Sequence, residues 1–299
     1  MKLGVSIVNY FSSDEIRGLL DSIVRTGVGS VATIAIVCNS CNDEEFAKIE
    51  GLIAEFGETT CILPPIRSRI NGGYARGNNQ GADLLLEDGC DVLWVLNPDT
   101  RVLELDREEL NAFCGQNKNR IAATARRGPG GELFPDVCQL SFWTGRSKAA
   151  TSLKKSSFAR VSYPAGHSIL VGKEAWTRLR GFSEQYFLFC EEPDLILRAE
   201  ALKIPVGFAP IATVAHLGGS TTGATAEIEE KSNLAFRTAS ESKILFINAH
   251  RPRRLPIVVL ARLVYAAVAF AKSGPPAGQS VLVGTMHGLQ KSRRAESLR

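Results

Sequence analysis

Three acids crowd a single helical turn in FLFCEEPDLILR, Phe187 to Arg198, where Glu191, Glu192 and Asp194 open an expected helix that Arg198 follows. Pro193 suits a first helical turn, and acids there complement the helix dipole. Capping therefore accounts for one or two of these carboxylates but not easily for three. A further carboxylate, Asp99, stands in LNPDT directly after the apolar run DVLWVL. Asn-Pro-Asp is a good turn sequence in its own right, so Asp99 has a plain structural reading beside a chemical one. His216, in VAHLGGST, follows an expected strand and precedes a Gly-Gly loop. A carboxylate oxygen and an imidazole nitrogen brought together would suit Mg2+ or Mn2+ held beside a diphosphate.

Two other segments invite chemical readings. NGGYARGNNQG, Asn71 to Gly81, has adjacent glycines that allow close backbone approach, then a helix start able to face an anion. It is neither a G-x-G-x-x-G fingerprint nor a Walker loop. CNSC, Cys38 to Cys41, has the spacing of a redox pair, and no second pair accompanies it to complete a zinc site. Its plain reading is two thiols at a strand end. The seven cysteines, odd in number and scattered singly, fit reduced thiols better than a disulfide framework.

The elements that must position these residues follow from periodicity. LGVSIVNY, then Ile16, Leu19, Leu20, Ile23 and Val24 at helical spacing, then VATIAIV, then Phe46, Ile49, Leu52, Ile53 and Phe56 make a βαβ rhythm. TCIL at 60–63, a helix from about Tyr74 to Glu87 and the strand at 91–96 continue it. The fold class is α/β: a mixed, mostly parallel sheet flanked by helices. Ligands of such sheets bind outside the carboxyl ends of the strands, and Asn9, Asn39, Asn71 and Asp99 lie at or just after such ends. The segment 126–160 reads as an irregular excursion or hairpin that shapes a substrate mouth. Helices near 173–180 and 192–202 and a strand at 205–209 complete a first unit, 1–224, ahead of a basic helical extension, 225–299.

The chain has 299 residues, 44% of them hydrophobic and 22% charged, an ordinary globular composition. Its net charge is +4, but from His250 onward nine Lys or Arg face one acid, +8, leaving −4 for the rest. The basic character belongs to the tail, and no nucleic-acid partner is expected. Leu255 to Ala271 is apolar over 17 residues with Arg262 mid-run, short of the ~20 needed to span a bilayer. Two readings carry equal weight: a helix on an anionic membrane surface with RPRR (251–254) and Lys272 near the headgroups, or a helix packed on the domain or on a second copy of the chain. LGVSIV is too short for a secretory h-region, so the expected location is cytoplasmic, or peripheral on the inner membrane face.

In register, these segments resemble the inverting GT-A glycosyltransferases of family 2, in particular their rhamnosyltransferase-like branch, over about Lys2 to Gly223. VSIVNY is similar to the opening strand of that family, IVCNSCND to V-V-D-N-x-S-x-D, and NGGYARGNN to N-x-G-F-A-x-G-N-N. LNPDT is similar to the metal-binding D-x-D variant, GF…FLFCEEPDLILR to G-F-D-E-x-F-F-x-x-x-E-D-x-D-x-x-x-R, and AHLGGST to the terminal His motif.

The resemblance implies a nucleoside diphosphate sugar donor, for instance dTDP-rhamnose, held by Asn9, Cys38, Asn39, Asn71, Gly72, Arg76 and Asn97. It implies Mg2+ or Mn2+ on Asp99 and His216, and Glu192 as general base with Asp194 and Arg198 orienting it. The acceptor would be a saccharide or lipid-linked saccharide. Cys38 stands where the family has an Asp, Glu192 where Asp is commoner, and Arg76 where a small residue is usual. Two other functions stay in view: a nucleotide-sugar-binding scaffold without turnover, and a thiol oxidoreductase using Cys38 and Cys41.

Overall fold

A computed structural model describes residues 2–116, 118–128, 130–216 and 228–297. The expected rhythm is present at the start: β1 (Leu3–Asn9), α1 (Ser13–Arg25), β2 (Ala32–Cys38), α2 (Asp43–Phe56), the short β3 (Cys61–Ile62) and β4 (Ile66–Arg67), α3 (Gly73–Glu87) and β5 (Val92–Leu96). After the LNPDT turn come β6 (Thr100–Leu105), α4 (Arg107–Gln116) and β7 (Ile121–Arg127). Next are β8 (Leu133–Pro135), β9 (Val137–Ser141), β10 (Ser147–Ala150), β11 (Arg160–Pro164) and β12 (Ser168–Gly172). The remainder is α5 (Lys173–Leu179), α6 (Glu191–Ala201), β13 (Val206–His216), α7 (Asn233–His250), α8 (Leu255–Ser273) and α9 (Pro275–Ser297).

The main sheet runs β3-β2-β1-β5-β12-β7-β13-β6, with β4 added to β2 and β8 to β7. β1 is parallel to β2 and β5, and β13 to β7, while β12 runs antiparallel to β5 and β7 and β13 antiparallel to β6. Alternation along the strands splits the core into two layers. Val92, Trp94 and Leu96 pack with α1, α2 and α4, and Leu93 and Val95 point to the face covered by α3, α5 and α6. Both faces are covered, which explains why β1, β2 and β5 are almost uninterrupted apolar runs. The indole of the core residue Trp94 is paired: its Nε1 donates to Ser168 Oγ at 2.9 Å, and Ser168 Oγ lies 2.7 Å from Thr124 Oγ1.

Three findings refine the expectations. The 126–160 excursion is ordered into a three-stranded antiparallel sheet, β10-β9-β11, standing beside the main one. The strand expected at 205–209 runs on to His216, which places that residue opposite Thr100 in β6. The C-terminal helices pack inward as well as outward: Ile244, Leu245, Phe246, Ile247 and Val258 join the same buried layer as α3 and α6. The expected unit boundary at 224/225 and the GGST part of the His motif lie outside the described residues.

The apolar tail segment is longer than its 17-residue run, since Pro252–Ser273 is helical over 22 residues, long and apolar enough to cross a membrane by length and composition. Val258, Ala266 and Ala269 are buried, whereas Ile257, Leu260, Leu263, Val264 and Phe270 are exposed. Its basic residues are not arranged as expected. Arg254 lies over the rings of Phe158 and Trp143 at 3.8 and 4.0 Å, Arg251 over Phe142 at 4.6 Å, and Lys272 pairs with Glu229 at 3.0 Å. Aromatic faces and Glu229 thus engage three of the four cations that one of the two readings sends to headgroups, and Arg253 is exposed.

α3 begins at Gly73 with φ +80°, and a Cβ there would collide with the Phe187 carbonyl oxygen. That backbone approach ties α3 to the segment leading into α6, because Tyr74 N donates to the same oxygen at 3.0 Å. Gly73→Ala should cost about 1–3 kcal/mol, read as a shifted denaturant midpoint at unchanged m-value.

Candidate active site

Because β1, β2, β5 and β13 run in one direction and β12 reverses between β5 and β7, one sheet edge collects the ends of several strands. Asn39 follows β2, Asn97 and Asp99 follow β5, His167 precedes β12 and His216 ends β13. A cleft of about 480 Å3 opens on this edge and is lined by Asn39, Asn71, Asn97, Asp99, Glu192 and His216 of the expected set. The turn reading of LNPDT holds. Thr100 N donates to Asn97 O at 3.1 Å, closing the turn, and the Thr100 hydroxyl donates to His167 O at 3.1 Å. The turn thereby delivers Asp99, 7% exposed, into the cleft wall.

Asp99 Oδ1 sits 3.2 Å from His216 Nε2. Burial pushes the Asp99 carboxyl up, but the hydrogen bond and charge of His216 outweigh it and hold the group below the usual carboxylate range. The His216 ring stacks on His167 with centroids 4.2 Å apart, and His167 Nε2 contacts Asp136 Oδ2 at 2.6 Å. Sequence reading did not single out this second His-Asp pair. His167 lies in the loop between β11 and β12, Asp136 sits at the start of the excursion, and only the strand reversal brings them together. Among the described residues no group of three or more His, Cys, Asp or Glu is arranged to hold a metal ion. Asp99 and His216 supply one oxygen and one nitrogen, which fits a divalent ion whose other positions are taken by diphosphate oxygens and water.

Opposite this pair, α6 presents its acids with different fates. Glu192 faces the cleft, and its carboxylate lies so close to Gly166 that a Cβ at that position would overlap Oε1. Burial raises the Glu192 pKa to about 7. Glu191, 1% exposed, is pushed well above the ordinary range by burial and by the charge of Glu192. Tyr74 lines the cleft as well and donates its hydroxyl to Gly166 O at 2.6 Å, bracing the loop that Glu192 rests on.

Asp194 and Arg198 do not line the cleft. Asp194 Oδ1 accepts from Tyr186 Oη at 3.2 Å and lies 2.8 Å from His250 Nε2, and its Oδ2 accepts from Arg198 Nε at 2.7 Å. Burial raises Asp194, but His250 and Arg198 more than offset it and keep the carboxylate ionised. Arg198 continues to Leu179 O and Gly181 O at 2.6 and 3.0 Å. Both residues anchor α6 from below.

The other donor candidates divide similarly. Asn39 Nδ2 donates to Gly73 O at 2.9 Å and Asn71 Oδ1 accepts from Gly73 N at 3.0 Å, so both hold the α3 entrance at the cleft. Asn9 and Cys38 are buried behind it. Asn9 Oδ1 accepts from Ser12 N and Oγ at 3.0 and 2.9 Å, and its Nδ2 is 3.4 Å from Cys38 Sγ. Ser12 itself reaches the cleft, whereas Gly72 and the exposed Arg76 do not line it. Cys38 and Cys41 are free thiols, the first buried and the second exposed.

Comparison with known proteins bears on this arrangement. No protein-family model matches the chain. It is 24% identical over 226 residues, 72% of its length, to the low-salt glycan biosynthesis hexosyltransferase Agl10 of Haloferax volcanii, and spans 66% of that relative. Among solved structures it superposes on GalNAc-T7 with UDP, GalNAc and Mn2+ at a TM-score of 0.57, with 15% identity over 86% of this chain and 51% of that one. A mannosyltransferase of Pyrobaculum calidifontis, PcManGT, in complex with GDP-Man and Mn2+ gives 0.52 at 11% identity over 97% and 87% of the two chains. TarS of S. aureus in complex with UDP gives 0.51 at 12% over 100% and 92%. The fold is that of the GT-A glycosyltransferases.

The two acids of α6 contribute to stability with opposite signs. Asp194 is depressed when folded, so its stabilisation is complete above the ordinary Asp range and is lost as pH falls below it; Glu192 is raised, so the folded state loses stability as pH rises from about 4.5, its ordinary value, to about 7. Asp194→Asn should cost about 3–5 kcal/mol at pH 7, because Arg198 and His250 lose a buried partner. Glu192→Gln should raise the melting temperature above pH 7 and leave it unchanged near pH 4.5.

Proposed function

We propose that the protein transfers a hexosyl group from a nucleoside diphosphate donor to an acceptor hydroxyl with inversion at the anomeric carbon. The observation that carries this reading is the position of Glu192. It lines the cleft containing Asp99 and His216 and also a second, larger cavity that meets the first along Cys138, Ala149, Gly166 and Phe189. A carboxylate at the seam of two cavities can touch a hydroxyl arriving from one while a donor occupies the other.

In this reading the acceptor oxygen forms its bond to the anomeric carbon as the bond to the diphosphate oxygen breaks. Glu192 takes the hydroxyl proton, and the nucleoside diphosphate leaves on the opposite side. A base near pKa 7 is about half ionised at neutral pH and basic enough to accept that proton. Asn39, Asn71, Asn97 and Ser12 offer hydrogen bonds to the nucleotide, and Asp99 and His216 are the residues that would hold Mg2+ or Mn2+. Such an ion supplies charge neutralisation for the departing diphosphate. dTDP-rhamnose is the donor favoured by the sequence resemblance. Asp194, Arg198 and Tyr186 act on the position of α6, and Asn9 and Cys38 on that of Ser12.

The apolar row of α8, Ile257, Leu260 and Val264, supports peripheral contact with a membrane, since it is exposed while the opposite side of the helix is buried. Flotation with lipid vesicles should recover the chain, and Leu260→Asp with Val264→Asp should abolish recovery.

Release of nucleoside diphosphate from a panel of dTDP-, UDP- and GDP-sugars with Mn2+ or Mg2+ tests the activity. Glu192→Gln should lower kcat about 10²–10⁴-fold with donor binding retained, and Asp99→Ala should weaken donor binding in the presence of metal. The kcat/KM profile should rise through an acidic limb near pH 7 as Glu192 loses its proton. Full turnover by both variants would remove this reading.

A further inference from the structure

The second cavity, about 980 Å3, inverts the charge of the cleft it adjoins: six Lys or Arg line it and a single acid, Glu192. Its walls come from the β9-β10 hairpin, α7 and α8. Two of its cations lack counter-ions. Lys243 makes no hydrogen bond or ion pair with any described residue, and burial, reinforced by the charge of Arg262, pushes its pKa down to about 7. Arg262, 5% exposed, gives one bond to Thr144 O at 3.0 Å and rests on the Tyr265 ring at 4.8 Å, leaving its Nε buried without a partner. Arg146 stands exposed at the mouth.

Like charges gathered in a concave site with so few acids are costly, and an anion accepting from them would reverse that cost. Phosphate suits the set, since guanidinium and ammonium donors converge on it from two helices and a hairpin. We propose that this cavity binds a phosphate group carried by the acceptor, so that the acceptor is a phosphate ester of a saccharide. The proposal rests on the glycosyl-transfer reading, because it takes Glu192 as the point where the two substrates meet. Val268 lines the cavity and is also 40% exposed, so the cavity wall continues into the apolar row of α8. A lipid chain on the phosphate would have a route along that row, and a soluble saccharide phosphate would leave the row empty.

Calorimetry of the full chain with inorganic pyrophosphate in EDTA tests the cavity apart from any metal-held donor. Wild type should bind. Lys243→Met should weaken binding about tenfold or more, the loss expected for a charge-assisted contact, and Arg146→Gln, an exposed change that spares the fold, several-fold. Asp99→Ala should leave binding unchanged. No binding by wild type, or binding sensitive to Asp99→Ala and indifferent to both cavity variants, overturns the proposal. Farnesyl diphosphate in detergent separates the sources: affinity well above that of pyrophosphate and lowered by Val268→Asp supports a lipid phosphate, and equal affinity supports a soluble one. Failure of the transfer reading would instead appear as no nucleoside diphosphate release alongside intact pyrophosphate binding.

Discussion

The buried carboxylate of Asp194 is the constraint on which the rest of the site depends. Three donors from three directions meet it: a phenol from the segment before α6, a guanidinium from the next turn of α6 and an imidazole from the end of α7. An ionised group so deep in the protein is tolerable only when its lone pairs are filled. With this turn fixed, the side chain two residues earlier has little freedom, and Glu192 is laid against the one backbone position, Gly166, that has no Cβ to refuse it. The position of Glu192 in the cleft is therefore set by an interaction made outside the cleft.

A second constraint is the reversal of chain direction in the sheet. Parallel strands alone would bring Asn39 and Asp99 to one edge. β13, parallel to β7 and so to β5, ends there with His216, and the antiparallel insertion of β12 between β5 and β7 adds His167 to the same edge. The stacked rings and their two aspartates then form a continuous polar wall facing the acids of α6.

Much of this was legible in the residues. Periodicity alone places β1, α1, β2, α2, α3 and β5, because apolar and polar positions there alternate as a doubly covered sheet requires. Asp99, Glu192 and His216 are recognisable by type and context, and they line one cleft. Roles set by distant pairings were not legible. Nothing near Asp194 in the chain announces His250, 56 positions away, and nothing in the Gly-Lys-Ser-rich excursion announces the β10-β9-β11 sheet or the placement of Asp136. The contacts of Arg251 and Arg254 were not legible either, because sequence cannot show that Phe142, Trp143 and Phe158 offer ring faces nearby.

The bond between His250 and Asp194 also bears on how such a protein could be divided or recombined. A sheet unit joined to exchangeable helices would be the natural modular design, yet here the last residue of α7 completes the coordination of a charge held at the start of α6. Swapping the tail for one from another enzyme would exchange a structural keystone along with any selectivity. Under the transfer function proposed above, variation in acceptor would fall to side chains around the basic chamber, with the helix that bears His250 kept in place.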